Sequence, residues 1–146
     1  KLLTIHLSGG SSMIKSALVS SKSINAKCIG VSILTSLNEE ESIEVYNQEI
    51  PKTVSSMFNL ANETNIDGVV CSPHELKLAG DLLQDKIKIT PGIRLSDSNS
   101  DDQSRVMNPK EAIDLGATYL VIGRPITSHK DKASAFEKIY QSIYER

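Results

Sequence analysis

The stretch GATYLVIGRPIT, residues 116–127, decides how the chain folds. Its centre, TYLVI (residues 118–122), is short, apolar and rich in β-branched residues. It lacks the strict alternation of a strand with one wet face, so it reads as a strand covered on both faces. Gly116 stands where a preceding helix would end in a left-handed turn. After the strand, Gly123 opens a turn that leads into the next helix. A helix, a glycine stop, a buried strand, a glycine turn and another helix form the repeating unit of a parallel α/β protein.

The same unit recurs upstream. LLTIHL (residues 2–7), KCIGVSIL (27–34), DGVVC (67–71) and KIKIT (86–90) are four more apolar, strand-like runs. Helical patterns separate them. In residues 52–65, Val54, Met57, Phe58 and Ala61 fall at i, i+3, i+4 and i+7, one apolar stripe on a helix. In residues 131–146, Ala133, Phe136, Tyr140 and Ile143 form a similar stripe. SPHE (72–75) and NPKE (108–111) both place a capping residue, Ser72 or Asn108, ahead of a proline, with a glutamate three positions after the cap. Each reads as a capping box with a pre-set first turn. The acidic run SLNEEESIEVYNQEI (36–50) reads as a short solvated helix.

Strand and helix thus alternate five times, which implies a parallel sheet with right-handed crossovers. An open doubly wound sheet and a (β/α)8 TIM barrel share this pattern. No GxGxxG follows any strand, and SGGSS (8–12) is too weak a signal for a dinucleotide site. A complete barrel takes eight strands and typically ~250 residues. Five βα units in 146 residues correspond to the later part of one. The chain starts at Lys1 and enters a strand within one residue, which reads as a fragment. Such a partial barrel leaves two sheet edges unpaired, a liability for solubility unless something pairs with residues 2–7 and 118–122.

Composition narrows the function. Hydrophobic residues make up 39% and charged residues 23%, with a net charge of -2. These values suit an ordinary globular domain and argue against nonspecific nucleic-acid binding. No apolar run is long enough to span a bilayer, so no membrane role is indicated. Cys28 and Cys71 each lie inside an apolar run and read as buried reduced thiols, as suits a cytoplasmic protein. The histidines, His6, His74 and His129, are scattered, and no zinc spacing is present.

In a parallel α/β protein the chemistry lies at the carboxyl ends of the strands. Those ends offer His6, then Thr35 and Ser36, then Ser72, then Pro91-Gly92-Ile93-Arg94, then Gly123-Arg124-Pro125. This set holds two arginines, several hydroxyls and two glycines. It has no carboxylate pair, no Ser-His-Asp arrangement and no metal cluster. His6 reads as a core histidine at a strand end rather than a base. Gly123 would bare backbone amides to a ligand, and Arg124 adds a fork that matches phosphate. A plain tight turn with a surface arginine accounts for the same letters. Gln103, in the polar segment after Arg94, could donate to phosphate and accept from a base, or simply be solvated.

Taken together, LTIHLSGG, GVSILTS, DGVVCS, TPGIR with DQSRVMNPKEAI, and GATYLVIGRPIT resemble orotidine 5'-phosphate decarboxylases of the bacterial type. The resemblance runs in order along essentially the whole chain. It implies a TIM barrel, usually dimeric, that converts orotidine 5'-phosphate to UMP and carbon dioxide with neither cofactor nor metal. By position, it implies that Arg94, Gly123 and Arg124 bind phosphate. It makes Gln103 the glutamine of a closing loop that bridges phosphate and pyrimidine. Thr35 becomes a substrate contact near the base, with Ser36 beside the pyrimidine edge and Pro91 walling the pocket.

One departure matters. The family's Asp-x-Lys-x-x-Asp motif belongs to the strand before LTIH, and no Asp-x-Lys occurs in the sequence. The family's earlier aspartate and lysine, which hold the ribose, also have no counterpart. The chain therefore resembles strands four to eight, with no catalytic residue of its own. Alone it is expected to bind phosphate without turnover, and to need the N-terminal part of the barrel as partner. Two other readings stay open: a related magnesium-dependent sugar-phosphate decarboxylase on the same barrel, and a non-catalytic phosphate-binding module.

Overall fold

The computed structural model describes residues 1–94 and 107–144. Five strands form one sheet: β1 (Leu2–His6), β2 (Lys27–Val31), β3 (Gly68–Val70), β4 (Ile87–Thr90) and β5 (Tyr119–Leu120). The helices are α1 (Gly10–Ser23), α2 (Glu39–Tyr46), α3 (Ile50–Glu63), α4 (Leu76–Leu82), α5 (Pro109–Asp114), α6 (Arg124–Thr127) and α7 (Lys132–Tyr144). Each anticipated strand is present. So are the two capped helix starts and the acidic helix, α2, whose own capping box is made by Asn38 and Glu41.

The sheet order is β1-β2-β3-β4-β5, with every neighbouring pair parallel. This order separates the two architectures that alternation alone could not. A doubly wound sheet reverses direction at a switch point, whereas a barrel adds each strand beside the last. The chain is an arc of a barrel. Among the described residues, β1 and β5 are its open edges.

Register sorts the side chains onto two faces. Leu3, Ile5, Cys28, Val69 and Lys88 point to one face, and Thr4, Ile29, Gly68, Val70 and Ile87 to the other. The first face meets the helices. There Cys28, Val69 and Leu7 join Ile14 and Leu18 of α1, Val54, Met57, Phe58 and Ala61 of α3, and Leu76 and Ala79 of α4 in one buried cluster. The stripe anticipated in α3 is therefore its core face. The second face is the concave interior of the arc; Ile29 and Ile89 are buried there.

Local chemistry fixes the ends of elements. The Asn108 side chain accepts from the Glu111 N–H at 2.8 Å, and the Glu111 carboxylate accepts from the Asn108 N–H at 3.4 Å. Gly116 takes φ 97°, the left-handed stop that hands α5 over to β5. At the second capped start, Glu75 accepts from the Ser72 N–H at 3.0 Å, while the buried Ser72 Oγ has no hydrogen-bond partner, so only half of that box is made.

Below the sheet, Asp67 joins β2 to β3. Its carboxylate accepts from the Cys28 N–H at 2.9 Å and from Lys27 Nζ at 3.0 Å. Burial pushes the Asp67 carboxyl upward, but the Cys28 backbone donor and Lys27 outweigh it and hold the group below its ordinary value. A carboxylate depressed in the folded state stabilises the fold above its unfolded value, and that contribution is lost as pH falls through the folded one. Urea-unfolding stability is expected to drop on acidification through and below the usual carboxylate range. Asp67→Asn is expected to flatten part of that drop, and an unchanged pH profile would contradict the role.

Candidate phosphate-binding site

Two loops leave the same end of the sheet from neighbouring strands. The first follows β4. Gly92 adopts φ 80°, a turn that any side chain would strain. Ile93, 3% exposed, plugs into the core beneath the turn. It forms an isolated parallel bridge with Met107. The Arg94 N–H donates to the Met107 carbonyl at 3.1 Å, and the Met107 N–H donates to the Gly92 carbonyl at 3.4 Å. Met107 thus holds the turn at both Gly92 and Arg94, and Arg94 is half-buried at the rim.

The second loop follows β5. The Val121 N–H donates to the Thr90 carbonyl at 2.9 Å, which carries the β4–β5 pairing past the end of the strand. The chain then turns at Gly123, whose carbonyl accepts from the N–H groups of Ile126 and Thr127, both at 2.9 Å. These bonds wind α6 and place Arg124 at its first position. A Cβ added to Gly123 would meet nothing within 4 Å. The protein's own packing therefore does not demand glycine here. The backbone edge at Gly123 is exposed.

The structure therefore brings Arg94, Gly123 and Arg124 to one rim through the pairing of β4 with β5. Among the described residues, neither arginine takes part in an ion pair. Glu75, the first carboxylate after β3, accepts from the Ser72 N–H and, at 3.4 Å, from the Ser32 hydroxyl. Two guanidinium groups with no carboxylate partner suit a dianion. Thr35 and Ser36 follow β2 at the same end in an exposed turn closed by the Leu37 N–H donating to the Leu34 carbonyl at 3.0 Å. Pro91 is half-buried beside Gly92. Gln103 lies outside the described residues.

One expectation is corrected. His6 is exposed rather than a core residue: in the β1–β2 register it sits opposite Val31, on the concave face, away from the helix-covered core. The role of Met107 was missed. A parallel bridge spanning a polar segment leaves no mark in local sequence, because it depends on where the chain returns.

The cysteines are not nucleophiles. Burial, and then the nearby Glu75 charge, push the Cys71 thiol up to about 12. Burial also raises Cys28, with the Asp67 charge adding to it. Thiols held protonated in this way do not attack. Among the described residues, no group of three or more His, Cys, Asp or Glu side chains could hold a metal ion, and no helix is long and apolar enough to cross a membrane.

Known proteins give this geometry a context. Residues 1–139 match the family model described as Orotidine 5'-phosphate decarboxylase / HUMPS family. Relatives named orotidine 5'-phosphate decarboxylase include those of Staphylococcus saprophyticus, 40% identical over 97% of this chain, and Coxiella burnetii, 41% identical over 99% of it. The chain spans 64% of the length of each of these relatives. A crystal structure of orotidine 5'-phosphate decarboxylase from Lactobacillus acidophilus superposes with a TM-score of 0.81 at 30% identity, covering 99% of this chain and 64% of that one. An uncharacterized conserved protein from Geobacillus kaustophilus shares the fold at TM-score 0.75 and 24% identity, covering 97% of this chain and 63% of that one. The strand order, the two rim loops and the match over residues 1–139 agree: this chain belongs to the orotidine 5'-phosphate decarboxylase / HUMPS family, and corresponds to a C-terminal portion of its members.

Proposed function

We propose that the chain is the phosphate- and base-gripping part of an orotidine 5'-phosphate decarboxylase, a carboxy-lyase of pyrimidine biosynthesis. The observation that carries this is the pairing of β4 with β5, which sets the Arg94 loop beside the Gly123-Arg124 turn with no carboxylate partner for either arginine among the described residues. Arg124 and the amides after Gly123 hold the 5'-phosphate, and Arg94 grips it from the loop after β4. Gln103 closes over phosphate and base, and Thr35 orients the pyrimidine.

In the reaction, the bond between the pyrimidine carbon and its carboxylate breaks. Carbon dioxide leaves and the electron pair stays on the ring carbon. A lysine ammonium stabilises that charge and then gives its proton to the carbon, forming UMP. This lysine belongs to the Asp-x-Lys-x-x-Asp segment, which the 146 residues do not contain. The present residues act at a distance: phosphate binding drives closure and organises the site around the reacting carbon. The working protein is a complete barrel, a homodimer in the cytoplasm. The test is carbon dioxide release from orotidine 5'-phosphate by a barrel completed with the missing βα units, with and without EDTA.

A further inference from the structure

Among the described residues, Glu41, Glu75 and Glu111 each accept from the backbone N–H of the residue that caps their helical turn, and Glu75 is unlike the other two. Glu41 meets the Asn38 N–H at 2.9 Å and Glu111 the Asn108 N–H at 3.4 Å, and both residues are exposed. That is the ordinary setting, in which the carboxylate reaches back to the cap and its charge stays in water. Glu75 makes the same bond to the Ser72 N–H at 3.0 Å, yet it is only 9% exposed. Capping does not require this burial. Taking a carboxylate out of water is unfavourable unless further groups bind it.

The burial brings a contact between strands. The Glu75 oxygen that accepts from Ser72, just after β3, lies 3.4 Å from the hydroxyl of Ser32, just after β2. Ser32 is fully buried. Its N–H donates to the Val70 carbonyl at 3.1 Å, which carries the β2–β3 pairing past the end of β2. Its hydroxyl lies 3.1 Å from the same carbonyl, so its one proton is shared between carbonyl and carboxylate. One carboxylate oxygen thus ties the carboxyl ends of two neighbouring strands. The chain beyond Ser32 depends on this tie. Ile33, 2% exposed, seats in the core, and the turn from Leu34 to Leu37 follows at once with Thr35 and Ser36 at its centre. Both are exposed, so the stem at Ser32 and Ile33 sets where they stand.

We infer that Glu75 and Ser32 are positioning residues for the base-contacting turn: by holding the ends of β2 and β3 together they set the place of Thr35 and Ser36 over the site. The inference rests on the proposed role of Thr35 in orienting the pyrimidine. Grip on the base then depends on this junction. Grip on the phosphate, from Arg94, Gly123 and Arg124 on the β4–β5 rim, does not.

The test uses the barrel completed with the first three βα units of the Staphylococcus saprophyticus relative and measures affinity by titration calorimetry. The probes are UMP, which carries the base, and ribose 5-phosphate, which carries a phosphate ester without it. Ser32→Ala removes the hydroxyl between the strands and leaves the cap, Glu75→Leu removes both bonds, and Glu75→Gln keeps an acceptor oxygen. Ser32→Ala and Glu75→Leu should each weaken UMP roughly tenfold, the scale of one lost hydrogen bond, and leave ribose 5-phosphate unchanged. Glu75→Gln should restore UMP binding. In a Thr35→Ala background, Ser32→Ala should weaken UMP no further, because the two act in series. Equal weakening of both probes would show a merely structural junction and overturn the inference. So would unchanged UMP binding in Ser32→Ala, or an undiminished Ser32→Ala loss in the Thr35→Ala background. The single variant Thr35→Ala separates the two readings. If it leaves UMP binding unchanged, the proposed role of Thr35 fails and the inference with it; if it weakens UMP while Ser32→Ala does not, the positioning role alone fails.

Discussion

Replacing Arg124 with alanine in the completed barrel should lower kcat/KM for orotidine 5'-phosphate by roughly 30- to 5,000-fold, the equivalent of about 2–5 kcal/mol for losing a desolvated, hydrogen-bonded charge pair. The same variant should leave turnover of the phosphate-free nucleoside almost unchanged. The reasoning is geometric. Arg124 stands at the first position of α6, held there by the two N–H groups that return to the Gly123 carbonyl. Removing its side chain leaves the turn intact and takes away a fixed charge whose proposed partner is the phosphate. Its exposure in this chain fits a group that becomes desolvated only when substrate arrives and the site closes. Equal losses for both substrates would show that Arg124 supports the fold rather than the phosphate.

The second large effect concerns stability. Phe58 is fully buried, at the centre of the stripe that fastens α3 to the sheet beside Val54, Met57 and Ala61. Phe58→Ala should cost about 3–5 kcal/mol, as for other buried aromatics cut back to alanine, because the rigid helix and sheet cannot collapse into the space. Domains of this size are stable by only ~5–15 kcal/mol. An arc with two open edges has less to spare, so the variant should be partly unfolded at 25 °C by urea titration. A loss below about 1 kcal/mol would mean that α3 is not a principal support of the core.

The strands were readable because β-branched apolar runs between capped helices admit few other conformations. The α3 face was readable for a similar reason: Val54, Met57, Phe58 and Ala61 share one side, and that side found the sheet. Strand order was not readable. Local alternation is the same in an open doubly wound sheet and in a barrel, and only long-range pairing distinguishes them. The site inherited this limit. Arg94 and Gly123-Arg124 could be nominated from turn chemistry and from family resemblance, but their position on one rim follows from β4 pairing with β5. On α7, the sequence marked Phe136 and Tyr140 as apolar without showing which face has a partner in this chain. The face that packs is Ala135 and Ile139. His6 was misjudged because a strand-end residue flips between core and concave face with a shift of one position.

These 146 residues are proposed to supply the phosphate-holding side of a decarboxylase barrel. The most direct test is to complete the barrel with the first three βα units of the Staphylococcus saprophyticus relative and to measure carbon dioxide and UMP formed from orotidine 5'-phosphate. Turnover is expected from the completed barrel, none from the 146-residue chain alone, and no loss on adding EDTA. A barrel that assembles yet releases no carbon dioxide, or whose turnover disappears with EDTA, would contradict it.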